Sequence, residues 1–87
     1  MRITQISSQH CSICKMMERI LGDEVDYIIV EEHPEAIEGS EYAAFPIYRI
    51  LDGDKWIDLC AGAMPKRVLF QKAADYANSR AENSSSI

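Results

Sequence analysis

Cys11 and Cys14 stand near the start of an 87-residue chain, with Ser12 and Ile13 between them. Two cysteines at this spacing can close a small, accessible disulfide and take part in thiol–disulfide exchange. The same pair is also half of many metal sites, so the motif alone leaves both chemistries open. In exchange the nucleophile is the thiolate, and a free thiol with a pKa of ~8.5 is mostly protonated at neutral pH. Unpaired backbone N–H groups and the macrodipole at a helix N-terminus favour the anion. Cys11 placed there would attack a disulfide. Cys14, one turn later on the same face, would resolve the mixed disulfide.

The flanking pattern predicts the elements that must hold this pair. Residues 2–7 predict a short strand. Ile13, Met17, Ile20 and Leu21 recur at helical spacing and predict a helix over 11–21 with those side chains inward. Gly22 is its stop. The β-branched run 25–30 predicts a strand buried on both faces. Strand, helix and strand in sequence make a βαβ unit, right-handed with parallel strands. Pro34 can open a short helix that Gly39 and Ser40 end. Pro46 precedes a strand over 47–51, Asp52-Gly53 signals a hairpin, and 56–60 is the return strand. Pro65 opens a last helix running to about Tyr76, with Val68, Leu69, Ala73 and Tyr76 inward. Residues 79–87 are polar and Ser-rich and are expected to form a flexible tail. The expected fold class is α/β: βαβ, a short helix, then ββα, with a four-stranded mixed sheet packed by helices. One domain over 1–78 is expected, without repeats.

Composition narrows the function classes. A net charge of −5 argues against nucleic acid, whose binding rests on Lys and Arg neutralising phosphates. Glu31, Glu32, Glu35, Glu38 and Glu41 crowd one segment, either as a solvated face or as a surface that steers partners. No run approaches the ~20 apolar residues of a membrane span, and residues 1–6 carry no long apolar signal region. Three cysteines are too few and odd in number for a secreted disulfide scaffold. A cytoplasmic setting is expected, and there a vicinal pair is catalytic or metal-binding rather than structural.

With its elements in this order, the chain resembles the thioredoxin and glutaredoxin superfamily over roughly residues 1–78. Cys11-Ser12-Ile13-Cys14-Lys15-Met16 opens the first long helix, as the thioredoxin motif does with its trailing lysine. Phe45-Pro46 stands directly before a strand, where the family has a cis-proline facing the cysteine pair. Gly62-Ala63 follows the last strand, with Lys66 in the next helix. The resemblance implies a disulfide reductase in which Cys11 is the nucleophile and Cys14 resolves. Its cofactor would be the redox-active Cys11–Cys14 disulfide alone, with no metal. Phe45 would line a substrate groove, a cis Pro46 would leave backbone groups free to pair with an extended substrate, and Gly62 would allow close backbone approach. The implied partners are protein disulfides, with thioredoxin reductase or glutathione upstream, and the chain is expected to act as a monomer.

The departures from the family pattern are specific. Ser12-Ile13 is neither the Gly-Pro of thioredoxins nor the Pro-Tyr of many glutaredoxins. His10 stands where thioredoxins carry Trp; it is a candidate substrate-binding residue that can favour a thiolate when protonated or shuttle a proton, or else a plain exposed loop residue. Gln5 stands where thioredoxins bury an aspartate. Met64 and Pro65 stand where glutaredoxins have an acidic residue for glutathione, which tilts the expected donor toward thioredoxin reductase. Cys60, alternating with Trp56 on one strand face, is expected to be a packed small hydrophobe. The competing class is metal binding: a glutaredoxin-type [2Fe–2S] cluster held between two subunits, or a soft metal on the same cysteines. A non-catalytic module of the same fold is a third reading, which the intact cysteine pair disfavours.

Overall fold

The computed structural model describes residues 2–85, with side chains over 2–80. Its element order is β1 (Ile3–Ser7), α1 (Ser12–Leu21), β2 (Asp26–Ile29), β3 (Ile47–Asp52), β4 (Lys55–Ala61) and α2 (Lys66–Ser85). Single 3₁₀ turns lie at Gly22–Glu24 and Pro34–Ile37. The strands form one mixed sheet in the order β2-β1-β3-β4. β1 pairs in parallel with β2 and antiparallel with β3, and β3 pairs antiparallel with β4. The α/β class and the mixed four-stranded sheet are as expected.

Each face of the sheet has its own apolar cluster. On one face Ile3, Tyr48, Ile50 and Cys60 meet Met17 and Leu21 of α1, Val25, and Leu69 of α2. On the other, Ile6 and Ile47 meet Ala36 of the 3₁₀ turn, with Ile37, Tyr42, Phe45 and Trp56 packed around them. Burial of each large aliphatic or Met side chain contributes about 1.5–3 kcal/mol. β1 is covered on both sides, which is why all five of its residues are buried.

Packing overrides the sequence pattern in several places. α1 faces the sheet with Cys14, Met17 and Leu21, whereas Ile13, Met16 and Ile20 are 44–49% exposed. The stripe that wins is rotated by about one residue, because it must carry Cys14 inward as well. β2 is an edge strand, half-buried rather than buried on both faces. A register shift near Tyr48/Arg49 places Cys60 opposite Tyr48 and Asp58 opposite Arg49. Such a bulge reverses the alternation, so Trp56 and Cys60 pack into opposite clusters instead of one face. The segment opened by Pro34 forms a 3₁₀ turn rather than an α-helix. Helix α2 continues to Ser85, past the expected end near Tyr76 and through most of the segment assigned to a tail; residues 86 and 87 lie outside the described residues.

One buried cation ties the acidic segment to the sheet. Arg49 has 3% of its side chain exposed and forms a 2.8 Å ion pair with Asp58, with its Nε–H not aimed along a hydrogen bond. Its other nitrogens donate to the carbonyls of Ala36 (2.7 Å), Glu38 (3.0 Å) and Trp56 (3.2 Å). Asp58 in turn accepts from the Ser40 hydroxyl at 2.8 Å and the Glu41 N–H at 3.0 Å. The chain entering Phe45 and Pro46 is thereby held against β3 and β4.

Candidate functional site

The register gathers the candidate residues at one end of the sheet. β1 ends at Ser7, and β1, β3 and the edge strand β4 align as Ile6↔Ile47 and Ile47↔Ala61. The segment after Ser7, Pro46 before β3, and Gly62 after β4 therefore leave the sheet at the same end. Cys11 and Cys14 lie on the segment that leaves β1.

Cys11 is the N-cap of α1. Its Sγ accepts the Cys14 backbone N–H at 3.1 Å, as a capping oxygen does in other helices. The two cysteines are paired as a disulfide with a Cα–Cα distance of 5.2 Å. Cys11 is half-buried and Cys14 is 1% exposed. The first turn of α1 carries no acidic residue, so no side-chain anion there competes with a sulfur anion for the helix N-terminus.

The supporting groups are polar and fully engaged. Beneath the first turn, Gln5 is fully buried and donates from Nε2 to the Cys14 carbonyl at 3.1 Å and to the Ser7 hydroxyl at 3.0 Å. The Tyr48 hydroxyl donates to Gln5 Oε1 at 2.9 Å. On the segment that precedes Cys11 in the chain, the Ser8 hydroxyl donates to the Glu31 carboxylate at 3.0 Å and the Gln9 N–H does so at 3.3 Å. A hydrogen bond from its own backbone N–H, then those from Gln9 and Ser8, hold Glu31 below its ordinary carboxylate value, with a minor contribution from nearby His10.

The other expected site residues fall as follows. The Phe45–Pro46 peptide bond is cis. The Gly62 N–H donates to the Pro46 carbonyl at 2.8 Å, so these two positions are in direct contact. Phe45 is half-buried against the Ile6/Ala36/Ile47 cluster. His10 is exposed, one residue before the N-cap. Cys60 is a free, buried thiol whose Sγ lies 3.2 Å from Met64 Sδ; burial pushes its pKa up to about 11. Among the described residues no group of three or more His, Cys, Asp or Glu side chains is arranged to hold a metal ion. A surface cavity of about 340 Å³ is lined by Arg67, Val68, Gln71, Lys72 and Asp75 of α2, none of them at the cysteine site.

Sequence reasoning gave no role to Tyr48 or Arg49, marked Gln5 only as standing where thioredoxins bury an aspartate, and placed Glu31 only in the acidic cluster. The available signal was a polar Gln within an apolar strand and an Arg within another, each demanding a buried partner. No known protein-family model matches the chain, and no curated protein or solved structure is significantly similar to it.

Proposed function

We propose that the protein is a thiol–disulfide oxidoreductase that reduces protein disulfides, as a small member of the thioredoxin and glutaredoxin superfamily. The observation that carries this is Cys11 as the N-cap of α1, its sulfur accepting the N–H of the buried Cys14 to which it is bonded. A sulfur in that position is stabilised as the anion by the helix terminus. In the dithiol form the Cys11 thiolate attacks a substrate disulfide, forming a mixed disulfide and releasing one substrate thiolate. Cys14 then attacks Cys11 Sγ, closing the internal disulfide and releasing the second substrate thiolate. The two electrons lost by the dithiol reside on the two substrate sulfurs, and an upstream reductant, thioredoxin reductase or glutathione, restores the dithiol. Pro46 and Gly62, in contact at the same end of the sheet, are proposed with Phe45 and His10 to form the rim against which the substrate lies.

The test is a redox equilibration of the purified protein in glutathione buffers, with thiols trapped and counted by mass and Cys14→Ser as control. A reversible two-electron couple at Cys11–Cys14, at roughly −200 to −270 mV, is the expected result for a reductase. A couple near about −120 mV would assign an oxidant. Absence of any reversible couple, with metal retained on the cysteines, would overturn the reading in favour of metal binding.

A further inference from the structure

The amide of Gln5 is held in one orientation. The Tyr48 hydroxyl donates to Oε1, so Nε2 must face the Cys14 carbonyl and Ser7. Gln5 and Tyr48 are both 0% exposed, so neither partner is replaced by water. The carbonyl they reach belongs to the residue whose sulfur closes the disulfide. β1 and β3 thus grip the peptide of Cys14, whereas Cys11, half-buried at the N-cap, is outside this network.

We propose that Gln5, locked by Tyr48, is the positioning residue for Cys14: it holds the Cys14 peptide in place in both the disulfide and the dithiol and adds no titrating group of its own. The inference rests on the thiol–disulfide reading above. It concerns the second half of the exchange. There the Cys14 thiolate attacks Cys11 Sγ, the Cys11–Cys14 bond forms, and the bond from Cys11 to the substrate sulfur breaks. The substrate leaves as a thiolate and takes a proton from water, which has received the one lost by Cys14.

The surroundings of Gln5 are silent near neutral pH. Tyr27 of β2 is its register partner, Tyr48 of β3 is its hydrogen-bond donor, and Cys60 of β4 stands opposite Tyr48. Burial raises both phenols above 10.0 and the Cys60 thiol to about 11. The charges that act on these groups, Glu18 and Asp23 on Tyr27 and Lys72 on Cys60, come from exposed side chains. Within the Gln5 network itself, then, no side chain is left to titrate between about pH 5 and pH 9; His10 lies outside it, on the segment before Cys11.

A small aromatic disulfide separates the two halves. The reduced protein releases one aryl thiol when Cys11 attacks and a second when Cys14 resolves. Tyr48→Phe removes the hydroxyl that locks the amide, and Gln5→Glu places a carboxyl of nearly the same shape under Cys14. In Tyr48→Phe the second release should slow about tenfold while the first stays within about twofold, because one hydrogen bond to the Cys14 side alone is unlocked. In Gln5→Glu the second release should gain a new inflection below about pH 9, since burial raises a carboxyl. Tyr48→Phe keeps the test open if Gln5→Glu does not fold. Second-release rates and pH profiles that superimpose on wild type in the folded variants would overturn the inference alone, as would equal slowing of both releases. A wild-type protein that releases only one equivalent would sink the thiol–disulfide reading and this inference with it.

Discussion

The Gly62 N–H donates to the Pro46 carbonyl at 2.8 Å, one step beyond the last ladder pair Ile47↔Ala61. This bond keeps the segments before β3 and after β4 together at the end of the sheet where α1 begins. Gly62 achieves it with φ +87°, a left-handed backbone, and a Cβ there would meet nothing within 4 Å. Gly62→Ala therefore tests the backbone alone. A residue with a Cβ in this region costs about 1–2 kcal/mol, and the expected outcome is a loss of that size in urea unfolding. Gly62→Asn should recover part of it, since Asn tolerates this region. An alanine variant as stable as wild type would mean that the segment relaxes freely.

Arg49 and Asp58 make the second prediction. The guanidinium is buried and also satisfies three carbonyls, two of them in the segment opened by Pro34. Removing Asp58 leaves a buried cation without its counter-charge, which costs about 3–5 kcal/mol in a buried pair. Asp58 has 19% of its side chain exposed, so the loss for Asp58→Ala should lie at the lower end. The same variant frees the Ser40 hydroxyl and the Glu41 N–H. Hydrogen exchange should then rise at Glu41 more than in β1. Uniform exchange across the chain would show that the pair stabilises the whole fold without pinning this segment.

Helix α1 supplies a direct contrast. Met17 is 1% exposed and Ile20 is 49% exposed, although both belong to the apolar positions of one helical period. Met17→Ala should cost about 2–5 kcal/mol, the range for a large side chain removed from a core. Ile20→Ala should change stability by no more than about 0.5 kcal/mol. Denaturant midpoints for the two variants decide it. Comparable losses would place Ile20 in a contact that the isolated chain does not show.

These contrasts mark how far the sequence could be read. The strands, the first helix and its N-terminal cysteine were legible because Pro, Gly and β-branched runs act locally: Pro46 opens β3, Gly22 ends α1, and Gly53 with φ +67° turns the hairpin. The choice between Cys14-Met17-Leu21 and the expected Ile13-Met17-Ile20-Leu21 was not, because both stripes are apolar and the sheet beneath selects one. The bulge near Tyr48/Arg49 was equally hidden, and with it the separation of Trp56 from Cys60. At the candidate site, the cysteine pair was legible from residue type and spacing, and the Pro46–Gly62 neighbourhood only through the resemblance to the thioredoxin superfamily. The grip of Gln5 on Cys14 could not, because it requires the register that sets β1 beside β3.

Glu31 ties the segment before Cys11 to the end of β2, and its ionisation gives an acid-side prediction. Hydrogen bonds from its own N–H, Gln9 and Ser8 lower its pKa from the ordinary 4.5. A carboxyl lowered on folding contributes stability above its unfolded value, and that contribution is lost as pH falls through the folded value. The Gln9 amide resonance should therefore shift with a midpoint below 4.5, and in Glu31→Gln that titration should vanish. A Gln9 midpoint at or above 4.5 would mean that the carboxylate does not hold the segment in solution.

The alkaline side depends on Cys60. Burial raises this thiol from its ordinary 9.0 to about 11. Below the unfolded value the thiol is neutral in both states and pH has no effect through it. Above 9.0 the unfolded chain loses the proton while the folded chain keeps it, so stability falls as pH rises toward about 11. The slope in that window is at most about 1.4 kcal/mol per pH unit for one group. Tyr48, raised from 10.0 chiefly by burial, adds to the decline once the pH passes its unfolded value. Cys60→Ala should lower stability at neutral pH, because it empties part of the core, yet flatten the decline between about pH 9 and pH 10. The same burial should keep native Cys60 unalkylated at neutral pH in the reduced protein while Cys11 reacts. A variant whose stability falls as steeply as wild type in that window, or a native Cys60 that alkylates as fast as Cys11, would show that the thiol reaches solvent without unfolding.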